Sequence, residues 1–364
     1  MGAEGARVRK VQVFGAALAT TAGLAVTALP ASAGVTSTPT TSAGSSTSPS
    51  LSPTLTSTPT PSPGQTVDPA GGSDDVSVVP YLSAAVPDQN TQVVQGVVRT
   101  AYRLKQQGYS YGRDKNQTLN AFWGPSARGP RPAILLLHGG YWLEGSKSTW
   151  TSYAQGLASR GYAVFAADYR LSTQKPWPAQ RDDVLSVIAW IRQQVHASYF
   201  QVDLKNIIVY GTSAGGQLAT TVGTYGSASK IVKGVVALSP VDSPAMAYAD
   251  GGPGTGAAKQ KLRSAVVTLI GCTPPGDSKC AARLRDVTPA YQVTKDDVPM
   301  LIVHSDGDFV PYAESVSLRD ALKRAGLPVV LRKEAGSAHG GSMLGDPVLG
   351  RFVLAWIAAL VKKP

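Results

Sequence analysis

One hexapeptide constrains this chain more than any other stretch: GTSAGG, at residues 211–216. It follows a short β-branched run at residues 206–210 and precedes residues 217–224, which are predicted to form a helix. A strand, then G-x-S-x-G, then a helix is the context of a sharp turn that presents its serine at a helix N-terminus. The glycines leave room beside Ser213, and the backbone N–H groups and helix dipole there favour developing negative charge. The pattern predicts a nucleophilic Ser213; the alternative is an ordinary Gly/Ser-rich turn.

A second motif, HGGYW at residues 138–142, comes directly after the apolar run at residues 133–137. In the architecture that uses a G-x-S-x-G turn, a loop of this type after this strand supplies backbone N–H groups to a developing oxyanion. The sequence therefore predicts an oxyanion-binding site in two halves, one in this loop and one beside Ser213.

The acid that would accompany a catalytic serine is expected in a loop after a late strand. A predicted strand at residues 299–303 is followed by such a loop, which contains Asp306 and Asp308. We favour Asp308 as the acid, with Asp306 as the first alternative and Asp242 as a more distant one. The carboxylates that do not serve as the acid are expected to form turns and loop caps.

The chain has four histidines, and their settings differ. Only His339 lies in a Gly-rich loop, GSAHGG, that can bring an imidazole to a serine, so we predict His339 as the general base. His138 is expected to brace the loop that it opens, and His304 to be a satisfied core residue. His196 is expected to lie partly exposed near the end of a helix.

Strands and helices alternate from about residue 91 onward. Two antiparallel opening strands are followed by an alternation that implies an α/β fold, a mostly parallel sheet with helices on both faces. The predicted strands are residues 91–99, 117–123, 133–137, 162–167, 206–210, 232–238, 299–303 and 328–333, and the predicted helices include 148–160, 179–195, 217–224 and 348–361.

The motifs HGGYW, DYRL (residues 168–171), GTSAGG and GSAHGG together resemble those of the α/β-hydrolase esterases. The likeness is to the hormone-sensitive-lipase-like and feruloyl/acetylxylan-esterase-like branch, and it covers roughly residues 91–362. The chain order Ser213, Asp308, His339 is the one expected for α/β-hydrolases. The resemblance implies a catalytic domain that hydrolyses esters with no cofactor.

The resemblance also implies which backbone amides bind the oxyanion: those of Gly140, Tyr141 and Ala214. The lipase-like branch usually has a third glycine where this chain has Tyr141. The HGGYW motif is similar to that of kynurenine formamidases, which hydrolyse an N-formyl amide. The resemblance therefore implies a hydrolase but leaves its substrate, an ester or an amide, undecided. Tyr141, Trp142 and Trp177 are candidates for lining the substrate pocket, with core packing as the alternative for the two tryptophans.

The N-terminal third has a different composition. Residues 1–33 contain three basic residues, an apolar stretch and then Ala-Ser-Ala, and they predict a secretory signal peptide; a membrane anchor is the alternative. Residues 34–75 are dominated by Ser, Thr, Pro and Gly, so we expect a disordered linker, either an O-glycosylated spacer that holds the enzyme away from a cell wall or a processed tail with no role. Residues 76–364 are left as the catalytic domain, and no later segment is long and apolar enough for a membrane span.

The formal net charge is +11, of which residues 1–33 contribute +2. The basic residues are scattered, with no basic motif interleaved with aromatic residues, so nucleic acid is not expected as a partner. The expected partner is a small-molecule or polysaccharide-linked ester, and attraction to an anionic cell envelope is a non-specific addition.

Cys272 and Cys280 are the only cysteines, and in an exported protein they are expected to form a disulfide across a loop with no obvious secondary structure. Two thiolates without nearby histidines are too few ligands for zinc, so no metal is expected.

Three classes of function remain. The first is a secreted carboxylesterase acting on short acyl, acetyl or feruloyl esters. The second is an amidase or peptidase of the same fold, and the third is a non-catalytic binding module. An intact set of serine, histidine and acid argues against the third class.

Overall fold

The computed structural model describes residues 104–125, 129–226 and 230–362. Within these ranges the chain forms one eight-stranded sheet. Its strands are β1 Lys105–Ser110, β2 Thr118–Trp123, β3 Arg131–Leu137, β4 Ala163–Ala167, β5 Val202–Thr212, β6 Gly234–Leu238, β7 Met300–Ser305 and β8 Val329–Glu334.

The strand order across the sheet is β1-β2-β4-β3-β5-β6-β7-β8. β2 pairs antiparallel with both β1 and β4, and every other neighbouring pair is parallel. Because the parallel strands share one direction, the loops that follow them meet at one edge of the sheet. The predicted fold, a mostly parallel sheet with helices on both faces, is confirmed.

Helices cover both faces of the sheet. Leu157 of one helix and Val353 of another pack on one face, while Val184, Leu218 and Leu322 pack on the other. The parallel strands are therefore buried on both sides, which explains why β4 and β6 are continuous apolar runs. The helices are α1 Thr151–Ser159, α2 Ala179–Arg192, α3 Gln194–Phe200, α4 Ala214–Thr224, α5 Pro244–Asp250, α6 Ala257–Ile270, α7 Ser278–Asp286, α8 Tyr312–Arg324 and α9 Pro347–Lys362.

The structure differs from the predicted elements in two places. The strand that pairs with β2 is Lys105–Ser110, which was not predicted because it is a polar edge strand, KQQGYS, with five of its six residues exposed. The predicted strand at residues 91–99 lies outside the described residues. The helix predicted at 179–195 is two helices, because the backbone of Gln193 is extended, with φ −59° and ψ 134°.

The signal peptide predicted at residues 1–33 and the linker predicted at residues 34–75 also lie outside the described residues. Across the three described ranges, no helix combines the length and apolar character needed to cross a bilayer.

The two cysteines are joined in the structure, with 5.9 Å between the Cα atoms of Cys272 and Cys280. The sequence suggested a loop with no secondary structure between them. In the structure this is wrong at one end, because Cys280 lies in the first turn of α7. Asp277 caps that helix by accepting a hydrogen bond from the backbone N–H of Cys280 at 2.9 Å. The bridge therefore links the end of α6 to the start of α7.

We predict that Cys272 and Cys280 are oxidised in the mature protein, and that replacing both with serine lowers the free energy of unfolding. Closing so short a loop stabilises a protein by roughly 2–3 kcal/mol, because it restricts the unfolded chain. Urea denaturation of the wild type and the double variant measures the difference. Reductant should destabilise the wild type by the same amount and leave the variant unchanged. Two alkylatable thiols in a non-reduced wild-type digest would contradict the prediction.

Candidate active site

Ser213 lies at the junction of β5 and α4 in a strained backbone conformation, with φ 54° and ψ −122°. Glycine is required on both sides of it. A Cβ on Gly211 would be 2.0 Å from the carbonyl oxygen of Gly215, and one on Gly215 would be 2.4 Å from the carbonyl oxygen of His138. The backbone N–H of Ser213 also donates to the Leu238 carbonyl at 2.9 Å, which fixes the turn to β6.

Two other loops reach Ser213. A Cβ on Gly139 would be 3.1 Å from the Ser213 Cβ, and one on Gly340 would be 3.6 Å from it. Gly139 belongs to the HGGYW loop, and Gly340 directly follows His339. The structure therefore brings together the three motifs that the sequence analysis selected.

His339 and Asp308 form a close pair. His339 Nδ1 lies 2.9 Å from both carboxylate oxygens of Asp308. The Asp308 side chain is fully buried, whereas that of His339 is 24% exposed. Burial alone raises the pKa of Asp308, but hydrogen bonds from His339, the Ser239 hydroxyl and the Val310 N–H lower it below its ordinary value. Asp308 is therefore held as a carboxylate against the imidazole, and Nε2 is the nitrogen left for other chemistry.

The other two candidate acids lie elsewhere. Asp306 accepts a hydrogen bond from the backbone N–H of Gly336 at 3.1 Å, and its other oxygen lies 3.4 Å from Lys333 Nζ. Asp242 is buried and accepts a hydrogen bond from Thr220 Oγ1 at 2.7 Å. Burial raises the pKa of Asp242 to about 7, although the bond from Thr220 opposes the shift. Asp306 bonds the backbone of Gly336, and Asp242 bonds a buried threonine. Asp308 is the carboxylate that faces His339.

The remaining histidines lie where the sequence analysis expected them. His304 is fully buried, with Nδ1 2.7 Å from Ser315 Oγ and Nε2 3.1 Å from the Val310 carbonyl oxygen. Burial lowers the pKa of His304 and that of His138. The His138 ring bonds its own loop through the Gly139 carbonyl at 2.7 Å. His196 is partly exposed and lies in α3.

The HGGYW loop turns tightly after β3. Gly140, Tyr141 and Trp142 have φ values of 120°, 57° and 59°. The Gly140 carbonyl accepts the backbone N–H groups of Leu143 and Glu144, which closes the turn. Within the described residues, the N–H groups of Gly140 and Tyr141, and that of Ala214 at the start of α4, donate to no acceptor. These donors are free to bind an oxyanion.

The two tryptophans are structural, and their predicted role in lining the pocket is not supported. Trp142 has no exposed surface, and its indole N–H donates to Gln217 Oε1 at 3.0 Å. Trp177 is 4% exposed, and its indole N–H donates to Asp286 Oδ2 at 2.6 Å. Both fill the core while satisfying their polar atoms. Tyr141 alone of the three aromatic candidates is only partly buried.

Two residues that position the site were not singled out from the sequence. Gln217, on α4, holds Trp142 and donates to the Val287 carbonyl at 2.8 Å. Tyr169 stacks on the His138 ring at 4.4 Å between ring centroids and donates its hydroxyl to the His138 carbonyl at 2.9 Å. The GTSAGG-Q and DYRL motifs contain these residues, but only the fold shows that both support the HGGYW loop.

No group of three or more His, Cys, Asp or Glu side chains in the described ranges is arranged to hold a metal ion.

We predict that Asp242→Asn makes stability less dependent on pH. The carboxyl has an ordinary pKa of 3.8 and a folded-state pKa of about 7, so between these values the folded protein holds a proton that the unfolded chain releases. The stability from the protonated carboxyl is complete below 3.8 and is lost as the pH rises to about 7. Chemical denaturation from pH 4 to pH 8 should show a shallower decline for Asp242→Asn than for the wild type.

The matched control is Asp306→Asn, since Asp306 is exposed on the same edge of the sheet. It should leave the pH dependence close to that of the wild type. Parallel stability curves for the wild type and Asp242→Asn would show that the Asp242 carboxyl does not titrate across this range.

Comparison with known proteins identifies the family of the chain. The BD-FAE family model matches residues 119–322, which is more than half of the chain. Esterase LipC of Mycobacterium tuberculosis is 26% identical over 308 residues, a match that covers 75% of this chain and 71% of LipC.

Two solved structures share the fold. A truncated form of carbohydrate esterase from gut microbiota has a TM-score of 0.60 at 21% identity, covering 72% of this chain and 98% of that one. Esterase B from Lactobacillus Rhamnosis has a TM-score of 0.60 at 21% identity, covering 71% and 86%. The predicted class, an ester hydrolase of the α/β-hydrolase fold, is therefore confirmed, and the chain belongs to the BD-FAE family.

Proposed function

We propose that the chain is a secreted serine carboxylesterase that hydrolyses short-chain acyl, acetyl or feruloyl esters through an acyl-enzyme on Ser213. The observation that carries the proposal is the meeting of three loops at one edge of the sheet. Ser213 lies beside the backbone of Gly139 and Gly340, and the buried carboxylate of Asp308 holds His339 in the same place.

The acylation step uses the His339–Asp308 pair as a base. Asp308 accepts a hydrogen bond from Nδ1–H of His339, which leaves Nε2 unprotonated to take the proton from the Ser213 hydroxyl as Oγ attacks the acyl carbon. The imidazolium that results is stabilised by the carboxylate. It then donates its proton to the leaving alcohol, and the acyl group stays on Ser213.

The oxyanion of the tetrahedral intermediate is bound by backbone amides. The free N–H groups of Gly140, Tyr141 and Ala214 lie on rigid turns, so they stabilise the negative charge with little reorganisation. In the second half of the reaction, His339 deprotonates a water that attacks the acyl carbon. Ser213 recovers its proton, and the carboxylic acid leaves.

The site of action follows from the N-terminal sequence. The signal pattern at residues 1–33 supports export, and the Ser/Thr/Pro-rich residues 34–75 would space the catalytic domain away from a cell wall. The substrate is a small-molecule or polysaccharide-linked ester. N-terminal sequencing of protein recovered from the medium tests the cleavage after residue 33.

A substrate panel separates the remaining classes of function. The esterase proposal predicts hydrolysis of p-nitrophenyl acetate and of a feruloyl ester, with little action on an aminoacyl anilide. Preferential cleavage of the anilide would instead support the amidase or peptidase class. Inactivity on all three substrates would support the binding module.

We predict that Ser213→Ala loses nearly all activity and keeps its fold, because the change removes one oxygen from a side chain on a turn. His339→Ala should lose about as much, since the two residues act as one unit. A fluorophosphonate probe should label the wild type at Ser213. Ser337→Ala is the matched control, because this exposed serine lies two residues from His339. Labelling elsewhere, or full activity in Ser213→Ala, would overturn the mechanism.

We predict that Asp308→Asn lowers kcat on the order of 10⁴-fold, by analogy with the serine-protease template, because the amide no longer fixes the productive imidazole tautomer. Asp306→Asn, two residues away in the same turn, should cost far less, since its carboxylate bonds Gly336 rather than His339. Steady-state kinetics on p-nitrophenyl acetate compare the two. The reverse order would reassign the acid.

A further inference from the structure

We propose that Phe309 is a positioning residue for His339. Its ring holds the imidazole against Asp308 and stabilises the imidazolium that forms when His339 accepts a proton. The proposal rests on the function proposed above, in which His339 is the general base.

The Phe309 ring contacts His339 directly. The two ring centroids are 4.3 Å apart, and the ring planes are inclined at 46°. Phe309 directly follows Asp308, so one turn between β7 and α8 supplies both the carboxylate and the aromatic ring. That turn is fixed, because the backbone N–H of buried Val310 donates to Asp308 Oδ1 at 3.1 Å. The imidazole therefore meets a carboxylate at Nδ1 and an aromatic ring beside it.

Phe309 also contacts a second aromatic residue, Tyr141. Its ring lies 5.9 Å from that of Tyr141, with 24° between the planes. Lys261 Nζ lies 4.6 Å from the Tyr141 centroid and forms a 2.6 Å ion pair with Glu144. Tyr141 belongs to the HGGYW loop, and Glu144 lies two residues beyond it. Phe309 thus lies between Tyr141 and the candidate base and contacts both rings.

An aromatic ring in this place favours the charged form of its neighbour. The ring quadrupole attracts a cation within about 6 Å of the centroid. Neutral imidazole gains less from the contact than imidazolium does. Phe309 therefore stabilises His339 in the protonation state that it reaches at each tetrahedral intermediate, as the Asp308 carboxylate also does.

The charged and titratable groups on the elements around His339 stay in place when Phe309 is replaced. Asp308 is the nearest of them, and His304 lies behind it, 3.6 Å from Asp308 Oδ2. Tyr141 contacts the Phe309 ring, and Lys261 lies over Tyr141 and pairs with Glu144. Asp306 bonds Gly336 and pairs with Lys333.

The test compares Phe309→Leu, which removes the π system, with Phe309→Tyr, which keeps it. The rates of p-nitrophenyl acetate hydrolysis are measured as a function of pH. In Phe309→Leu the midpoint of the acid limb of kcat/KM should move to lower pH by roughly half a unit, because the imidazolium loses a cation–π contact. At the pH optimum kcat should fall several-fold, with a smaller change in KM. Phe309→Tyr should restore both quantities.

Tyr199→Leu is the matched control. Tyr199 is an exposed aromatic residue that packs against Phe200 at the end of α3. It lies near the start of β5, whereas Ser213 follows the end of that strand. This variant should have the wild-type pH profile and kcat. Phe309→Met, similar in volume and without a π system, replaces Phe309→Leu if the leucine variant does not fold.

Two results would overturn the proposal while leaving the esterase function intact. One is an unmoved acid limb in Phe309→Leu or Phe309→Met, and the other is a Phe309→Tyr variant that behaves like the leucine variant. A wild type that hydrolyses no ester, or that is labelled at a serine other than Ser213, would overturn the proposed function and this proposal with it.

Discussion

The close backbone packing between the β5–α4 turn and the end of β3 is the constraint on which the site depends. A Cβ on Gly215 would lie 2.4 Å from the carbonyl oxygens of Leu137 and His138, so only glycine allows the two loops to approach. The parallel pairing of Leu137 with Gly211 sets the register of this contact. It places Ser213 in its strained conformation directly beside the HGGYW loop, and that proximity is needed for any acyl transfer there.

Burial acts differently on the carboxylates near the carboxyl edge of the sheet. Asp308 and Asp242 are both buried after neighbouring strands, yet the pKa of Asp308 is lowered and that of Asp242 is raised to about 7. The difference comes from their hydrogen-bond partners. Asp308 accepts hydrogen bonds from His339 and from the Val310 N–H, whereas one oxygen of Asp242 has no partner among the described residues. Asp308 is therefore the carboxylate held in its charged form, and it is the one that lies against the imidazole.

Much of the fold could be predicted because its patterns are local. The apolar run of β3 and the glycine-flanked turn at Ser213 each depend on a few consecutive residues. The strand Lys105–Ser110 and the break at Gln193 could not be predicted in this way. The first gains its order from pairing with β2, and the second lets α3 turn back so that His196 stacks on Trp190 of α2. Periodicity within a window contains neither kind of information.

The sequence by itself determined the chemistry available to the site: a serine in a G-x-S-x-G turn, a histidine in a Gly-rich loop, and acids after late strands. These features are encoded in neighbouring residues, because the turns need glycine and the strands need apolar side chains. The tertiary structure alone decided which acid faces His339, that Trp142 and Trp177 are packed inside, and that Phe309 lies against the imidazole. Those outcomes depend on contacts between residues distant in the chain, which form only when the sheet brings its loops to one edge.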